Sequence, residues 1–317
     1  MTAVRLVSTH NMDRSEWLSV RTRGIGGSDI AAIAGVSPWA TPLSVYLDKI
    51  GEAPKQDETE AMRWGTILED VVAREYARRH PEYTIRRVNA VLQHPEVPYF
   101  IGNIDREIRR AGHPPMLLEI KTTSAWNAGS WRDDVPDHVM CQVQWYLGIL
   151  GWQTAVVAVL IGGQDYREIE IARDDEIIEQ LQTIGRRFWE EHVIPRRAPA
   201  PEAGDVDTVA AMYPESNGQE IDLTPLAQDV LREYDEARAI EEAARQRRQA
   251  AEAKLKQLLG DHERALVGNR RVSWPTVVTR RLDTAALRAD HPDIYEQYVR
   301  ETTYRRFTVS KEKEGDA

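Results

Sequence analysis

The sequence has one cysteine, Cys141, among 317 residues. A single thiol excludes an intrachain disulfide, a cysteine-based zinc site and a thiolate-ligated iron–sulfur cluster, and it fits a reducing cytoplasm. Long apolar runs are missing as well. Residues 1–17 contain no apolar stretch of the kind a secretory signal needs. The longest apolar segment, Thr154–Gly162, falls far short of the roughly 20 residues that span a bilayer, so no membrane association is expected. Excess positive charge is absent too: 41 Lys and Arg stand against 51 Asp and Glu, a formal net charge of −10. As an average this counts against a polyanionic partner, although a local basic track can coexist with an acidic, cation-holding pocket. No internal repeat and no low-complexity tract is present.

What remains is the composition of an ordinary globular chain, 42% hydrophobic and 29% charged, with enough apolar material for a sizeable core. Residues 21–29 run Arg-Thr-Arg-Gly-Ile-Gly-Gly-Ser-Asp and precede a short helix, with Ser28 or Asp29 as its expected N-cap. Such a helix start, with free N–H groups and a positive dipole end, suits a phosphate. Thr41 caps a second expected helix that ends at Gly51, and the pattern of Ile67, Leu68, Val71, Val72 and Tyr76 predicts a third, from Ala61 to His80. Strands are expected over Tyr83–Gln93, Tyr99–Ile108 and Met116–Thr122, then a helix over Asp137–Leu150, a hairpin over Ala155–Ile171 and an amphipathic helix over Asp174–Val193. This alternation predicts an α/β (α+β) fold, a mixed central sheet flanked by helices. Arg196–Pro201 looks like a linker. The expected division is therefore a domain over residues 1–197 and an extension over 198–317, made of a long charged helix from Leu226 to Leu259, strands around Gly268-Asn269 and a final Arg-Arg-Phe-Thr-Val strand.

The chemistry concentrates in Gly102-Asn103-Ile104-Asp105 and Leu118-Glu119-Ile120-Lys121. Residues two apart on a strand share a face, so Glu119 and Lys121 lie together on an otherwise apolar strand. Burying both is costly unless they pair with each other or hold a metal. Asp105, on the neighbouring strand, adds a second carboxylate. Hard Mg²⁺ takes oxygen ligands, so Asp105, Glu119 and the Ile120 carbonyl form a reasonable donor set, with Lys121 placed to steady an attacking water or a phosphoryl oxygen. A Glu-x-Lys pair alone is more often an ion pair on a strand edge. The upstream Asp and the hairpin context bring catalysis level with that reading.

This is the pattern of the PD-(D/E)xK nucleases. Three further segments accompany it: Trp64-Gly65-Thr66-Ile67-Leu68-Glu69, Met140-Cys141-Gln142-Val143-Gln144-Trp145-Tyr146, and the pair Arg21 and Ser28. In this order and spacing, from about Arg21 to Val193, they resemble the YqaJ-type viral recombinase family, relatives of the phage lambda exonuclease. The resemblance implies a restriction-endonuclease-like core. Asp105, Glu119, the Ile120 carbonyl and Glu69 would hold Mg²⁺, with Mn²⁺ able to substitute. Lys121 would be the catalytic lysine, oriented by Gln142 (Gln144 competes for that place). Arg21 and Ser28 would bind the terminal 5′-phosphate, with Arg23 as a competitor of Arg21. It also implies 5′-to-3′ digestion of one strand of double-stranded DNA in a phage- or prophage-carrying bacterial host. The 3′-tailed product would pass to a single-strand annealing protein.

His113 and His138 read as surface or core histidines, and Cys141 as a packing residue. Trp39, Trp64, Trp126 and Trp131 read first as core or lid residues. The extension offers Arg245, Arg247, Arg248, Arg270, Arg271, Arg280 and Arg281, most of them on a solvated helix or hairpin; oligomerisation, partner docking and DNA contact are its candidate roles. Two other functional classes fit the same residues, an endonuclease of the same superfamily and a non-catalytic DNA-end-binding scaffold.

Overall fold

Two apolar segments, Met116–Thr123 and Thr154–Ile161, lie side by side and parallel in a five-stranded sheet. Their β-branched content suits a pleated surface covered on both faces. The computed structural model describes residues 3–10, 12–54, 58–132, 134–224 and 226–310. The chain divides into two compact units, residues 1–213 and 214–317.

The first unit runs β1 (Val4–Ser8), α1 (Arg14–Arg21), α2 (Gly27–Ile33), α3 (Pro42–Ile50), α4 (Glu60–Arg79), β2 (Thr84–Arg86), β3 (Ala90–Gln93), β4 (Ile101–Gly102), β5 (Arg106–Arg109), β6 (Met116–Thr123), α5 (Asp137–Leu150), β7 (Thr154–Ile161), β8 (Asp165–Ala172), α6 (Asp175–Phe188) and α7 (Val206–Met212). The main sheet has the order β2-β5-β6-β7-β8, and only its β6–β7 pairing is parallel. A smaller antiparallel sheet has the order β1-β3-β4.

The period of two along β6 sorts its side chains between two cores. Leu118 and Ile120 join Ile108, Val156 and Ala158 under Val72, Ala73 and Tyr76 of α4. Leu117 turns the other way, with Val157 and Val159, into the larger core against Val139, Val143 and Leu147 of α5. Glu119 and Lys121 share the parity of Leu117 and therefore face α5. Gly151 ends α5 in the left-handed region, at φ 70°, where a side chain would be strained.

Several expectations are corrected. Tyr83–Gln93 is not one strand. Asn89 takes a positive φ of 46°, which breaks the extended chain and sends β2 and β3 to different sheets. Tyr99–Ile108 divides in the same way: β4 pairs with β3, the chain then crosses over, and β5 pairs with β6 from Arg106 onward. Asp105 sits at that crossover. Helix α1 was not expected, although Asp13 and Glu16 carry its capping box in plain view. The N-cap of α2 is Gly26, not Ser28 or Asp29; Asp29 is the third helical residue and accepts from the Gly26 N–H at 2.8 Å.

The first unit continues past the expected linker. Asp205 is buried and accepts hydrogen bonds from the Thr41 hydroxyl and the Glu202 N–H, while Val209 and Met212 pack on the main core. The chain therefore divides after Tyr213 and not after Arg197.

The second unit comprises α8 (Gln228–Leu259), a hairpin of β9 (Arg264–Val267) and β10 (Arg270–Ser273), α9 (Thr284–Asp290) and α10 (Pro292–Tyr298). Helix α8 is exposed along nearly its whole length and is laced by pairs such as Arg245–Glu242 and Lys256–Glu252. The expected strand over residues 305–309 does not form, because β9 and β10 pair only with each other. Among the described residues no helix is long and apolar enough to cross a membrane.

Candidate active site

Glu119 and Lys121 project from β6 toward α5, and one residue of that helix meets both. Lys121 Nζ donates to Glu119 Oε1 at 2.7 Å and to Gln142 Oε1 at 2.9 Å, and Gln142 Nε2 donates to Glu119 Oε1 at 2.7 Å. The amide thus bonds the lysine through its oxygen and the glutamate through its nitrogen, which fixes its orientation. Gln144 takes no part in this arrangement. It donates to the Ala172 carbonyl and accepts from the Asp174 N–H, bracing the turn between β8 and α6. Glu119 is 1% exposed, and its second oxygen, Oε2, is buried without a hydrogen-bond partner.

Asp105 approaches from the edge. β5 pairs with β6 only as far as Arg106 opposite Leu118, which leaves the edge of β6 beyond that point uncovered on this side. Asp105 Oδ2 fills the gap by accepting from the Ile120 N–H at 2.8 Å. In an extended strand the N–H and C=O of one residue point the same way, so the Ile120 carbonyl faces the same edge.

Burial pushes the Asp105 carboxyl well above the usual range, and the charge of Glu119 adds to the effect. Burial also raises Glu119, against the opposing pull of Lys121. For Lys121 burial works to lower the pKa, but Glu119 and Asp105 outweigh it and the ammonium is held. Two buried carboxyl groups therefore crowd one ammonium, and burial pushes both toward the protonated form. The orphaned oxygen and the crowded carboxyl groups fit a cation, and an all-oxygen donor set fits a hard one.

Glu69 stands on the other side of the sheet. It belongs to α4, and its carboxylate is taken by Arg106, which also binds Asp70. Among the described residues no three His, Cys, Asp or Glu side chains converge on one point as metal ligands. Asp105, Glu119 and the Ile120 edge come together, while Glu69 lies close enough for its charge to act on all three ionisable groups of the site.

The loop before α2 sits against the same centre. Arg21 Nη2 reaches Ser28 Oγ at 3.4 Å and Asp29 Oδ1 at 3.0 Å, and its guanidinium lies over the Trp17 ring. The exposed Arg23 makes neither bond. Lys49, buried on α3, donates to Asp29 Oδ2 at 2.7 Å and to the Arg21 carbonyl at 3.1 Å. Tyr146 joins this group to Gln142, and through it to Lys121 and Glu119. Its hydroxyl accepts from Gln142 Nε2 at 3.3 Å, and its ring packs where Gly27 and Gly102 have no side chain. A Cβ on Gly27 would stand 2.6 Å from Gln142 Cγ and 2.8 Å from Tyr146 Cζ.

Asp29, Lys49, Arg106 and Tyr146 were not singled out from the sequence as site residues. Charged residues in apolar helices or at strand starts were the available signal, and Lys49 and Arg106 both carry it. Of the remaining candidates, His138 meets Trp39 edge to face at 4.8 Å, and burial and then Lys121 lower its pKa. Cys141 is half-buried against the core. Trp126 is 95% exposed and Trp131 is buried.

A family model described as the YqaJ-like viral recombinase domain matches residues 16–153. The chain is 36% identical over 313 residues to the protein YqaJ of Bacillus subtilis, covering 96% of this chain and 97% of that one. Among solved structures, an alkaline exonuclease from Laribacter hongkongensis superposes with a TM-score of 0.47 at 19% identity, over 58% of this chain and 94% of that one. A phage-related exonuclease from Haemophilus somnus superposes with a TM-score of 0.40 at 12% identity, over 55% and 96% of the respective chains.

Proposed function

The chain belongs to the YqaJ-like viral recombinase family, and on that premise we propose that it is a magnesium-dependent 5′-to-3′ exonuclease acting on the ends of double-stranded DNA. One observation carries the reading: Lys121, Glu119 and Gln142 form a closed hydrogen-bonded trio beside Asp105, with Glu119 Oε2 buried and unpartnered. A structural ion pair has no use for an orphaned carboxylate oxygen in a core, where it costs stability. A cation site does.

Asp105, Glu119 and the Ile120 carbonyl would hold the metal, with Glu69 completing the set from α4. Magnesium bound there supplies a Lewis acid that makes a water more acidic and offsets charge on the phosphoryl oxygens. Lys121 is held on Glu119 and Gln142, so its remaining proton is directed at the water or at a phosphoryl oxygen of the scissile group. Gln142 keeps the ammonium and Glu119 in fixed register, and so restricts Lys121 to one rotamer. Arg21 and Ser28, joined to the centre through Tyr146, take the terminal 5′-phosphate. Digestion from that end leaves 3′ tails for an annealing partner, and residues 214–317 are the segment available for docking that partner or a second copy.

The test is digestion of linear duplex DNA carrying a 5′-phosphate, with and without Mg²⁺, beside a closed circular control. Shortening of one strand from its 5′ end, only with the metal and only on linear DNA, supports the reading. Cleavage of the circle would make the protein an endonuclease. End binding without digestion in Mg²⁺ or Mn²⁺ would make it a scaffold.

A further inference from the structure

Glu69 and Glu119 approach the centre from opposite faces of the sheet, one from α4 and one from β6 on the α5 side. Something must bring the first to the edge where Asp105 lies. Arg106 follows Asp105 directly, opens β5 and is 4% exposed. Its Nη1 donates to Glu69 Oε1 at 2.5 Å and to the Asp105 carbonyl at 2.6 Å, and its Nη2 donates to Asp70 Oδ1 at 2.5 Å. Arg87 adds longer bonds, 3.0 Å to Asp70 Oδ1 and 3.5 Å to Glu69 Oε1. Both arginines donate to the same oxygen of Glu69, Oε1, and neither hydrogen-bonds to Oε2.

We propose that Arg106 is a positioning residue for the metal site: it ties Glu69 to the backbone of Asp105 through one shared nitrogen and leaves Glu69 Oε2 for the cation. The inference rests on the metal reading above. A guanidinium can do this because it is planar, permanently charged and carries several donors in a rigid fork. A lysine at the same place is a point charge and cannot reach two carboxylates and a carbonyl at fixed angles. Burial makes the arrangement exacting, since an unpaired charge there is expensive, so the anions and the fork fix one another.

The experiment measures the Mn²⁺ dissociation constant of the full-length protein by electron paramagnetic resonance titration, with the thermal midpoint of each metal-free protein alongside. The set is wild type, Glu69→Gln, Arg106→Met, the double variant, and Arg106→Lys. Removing an orienting partner of a ligand typically weakens metal binding by about 10- to 100-fold. Arg106→Met and Glu69→Gln should each weaken Mn²⁺ within that range. The double variant should be no weaker than the worse single by more than about threefold, because the two changes interrupt one connection. Arg106→Lys keeps the buried charge, carries the same comparison if Arg106→Met does not fold, and should recover only part of the loss.

A purely structural Arg106 would lower the thermal midpoint while its effect on Mn²⁺ multiplied with that of Glu69→Gln, and that outcome overturns the inference. So does wild-type affinity in both Arg106 variants. An unchanged affinity in Glu69→Gln removes Glu69 from the site and sinks the inference while leaving Asp105 and Glu119 in place. A wild-type protein that binds no Mn²⁺ removes the metal reading itself.

Discussion

Asp105 and Ile120 meet carboxylate to backbone, at 2.8 Å, where β5 has already stopped pairing with β6. The side chain takes the place of a missing strand residue. It satisfies an edge amide and in the same act holds a carboxylate beside Glu119. The two roles can be separated, because an amide side chain keeps the first and loses the second.

Asp105→Asn should therefore retain the hydrogen bond to Ile120 while removing a buried negative charge that burial and Glu119 already disfavour. The metal-free variant is expected to melt at or above the wild-type temperature at neutral pH, yet to lose about 100-fold or more in cleavage rate. Asp105→Ala, which leaves the Ile120 N–H unpaired, should cost about 1–3 kcal/mol of stability as well. Calorimetry and single-turnover digestion of linear duplex DNA check both.

Lys121→Ala should abolish cleavage, by on the order of 100- to 1,000-fold or more, while duplex ends still bind, because Arg21 and Ser28 lie outside the trio. Glu119→Ala should abolish cleavage likewise, with the fold intact by circular dichroism. Full activity in either purified variant would refute the assignment.

Gly27→Ala tests the junction between the α2 loop and the trio. The added Cβ would meet Gln142 and Tyr146 well inside contact distance. Gln142 must then shift, and with it the partner that holds Lys121. We expect about 1–3 kcal/mol of destabilisation from overpacking and a fall in turnover larger than the fall in DNA-end affinity. Separate measurement of binding and of single-turnover rate distinguishes the two.

The Asp29–Lys49–Arg21 cluster sets an acid limit. Burial alone would raise Asp29, but Lys49 and Arg21 outweigh it and hold the carboxyl at about 2, below its ordinary 3.8. A depressed carboxylate contributes stability that is complete above the ordinary value and is lost as pH falls toward the folded one. The contribution is about 2 kcal/mol, so the difference in unfolding free energy between the wild type and Asp29→Asn should shrink between pH 4 and pH 2. At neutral pH the variant should be destabilised by no more than about 3 kcal/mol, since Lys49 loses its buried carboxylate but keeps Asp48 at 3.0 Å. Urea titrations across that window measure both values, and a difference independent of pH would contradict the ion-pair account.

The heart of the site was legible because strand parity is a local rule. Glu119 and Lys121 had to share a face, and a charged pair in so apolar a strand needed a reason to be there. Gln142 could be narrowed only to a choice with Gln144. Which of the two faces β6 depends on how α5 is rotated, and apolar residues surround α5 on most sides. Arg106 and Lys49 stood out only as charges in apolar surroundings, and what they pair with was hidden for another reason. Their partners, Glu69 and Asp29, lie 37 and 20 residues away, and nothing local brings them together. The strand exchanges at Asn89 and Asp105 were hidden because each continues an extended-looking run, and only pairing partners reveal that a run has changed sheets. Thr41 shows the reverse case. Its capping role was evident from the following Pro42, while its bond to Asp205 was not.

The single parallel pairing of the main sheet sets how much of the chain must exist before Lys121, Glu119 and Gln142 can come together. Antiparallel neighbours can join through a tight turn, but β6 and β7 need a long crossover, and here that crossover is the segment carrying Gln142 and Tyr146. A ribosome that has released the chain only as far as Thr123 has made every carboxylate of the centre and none of the helix that orders Lys121. Contacts between parts of the chain so far apart form late. The trio of Lys121, Glu119 and Gln142 therefore cannot close until the chain has been made through α5 and β7, so that α5 can dock and β7 can pair with β6.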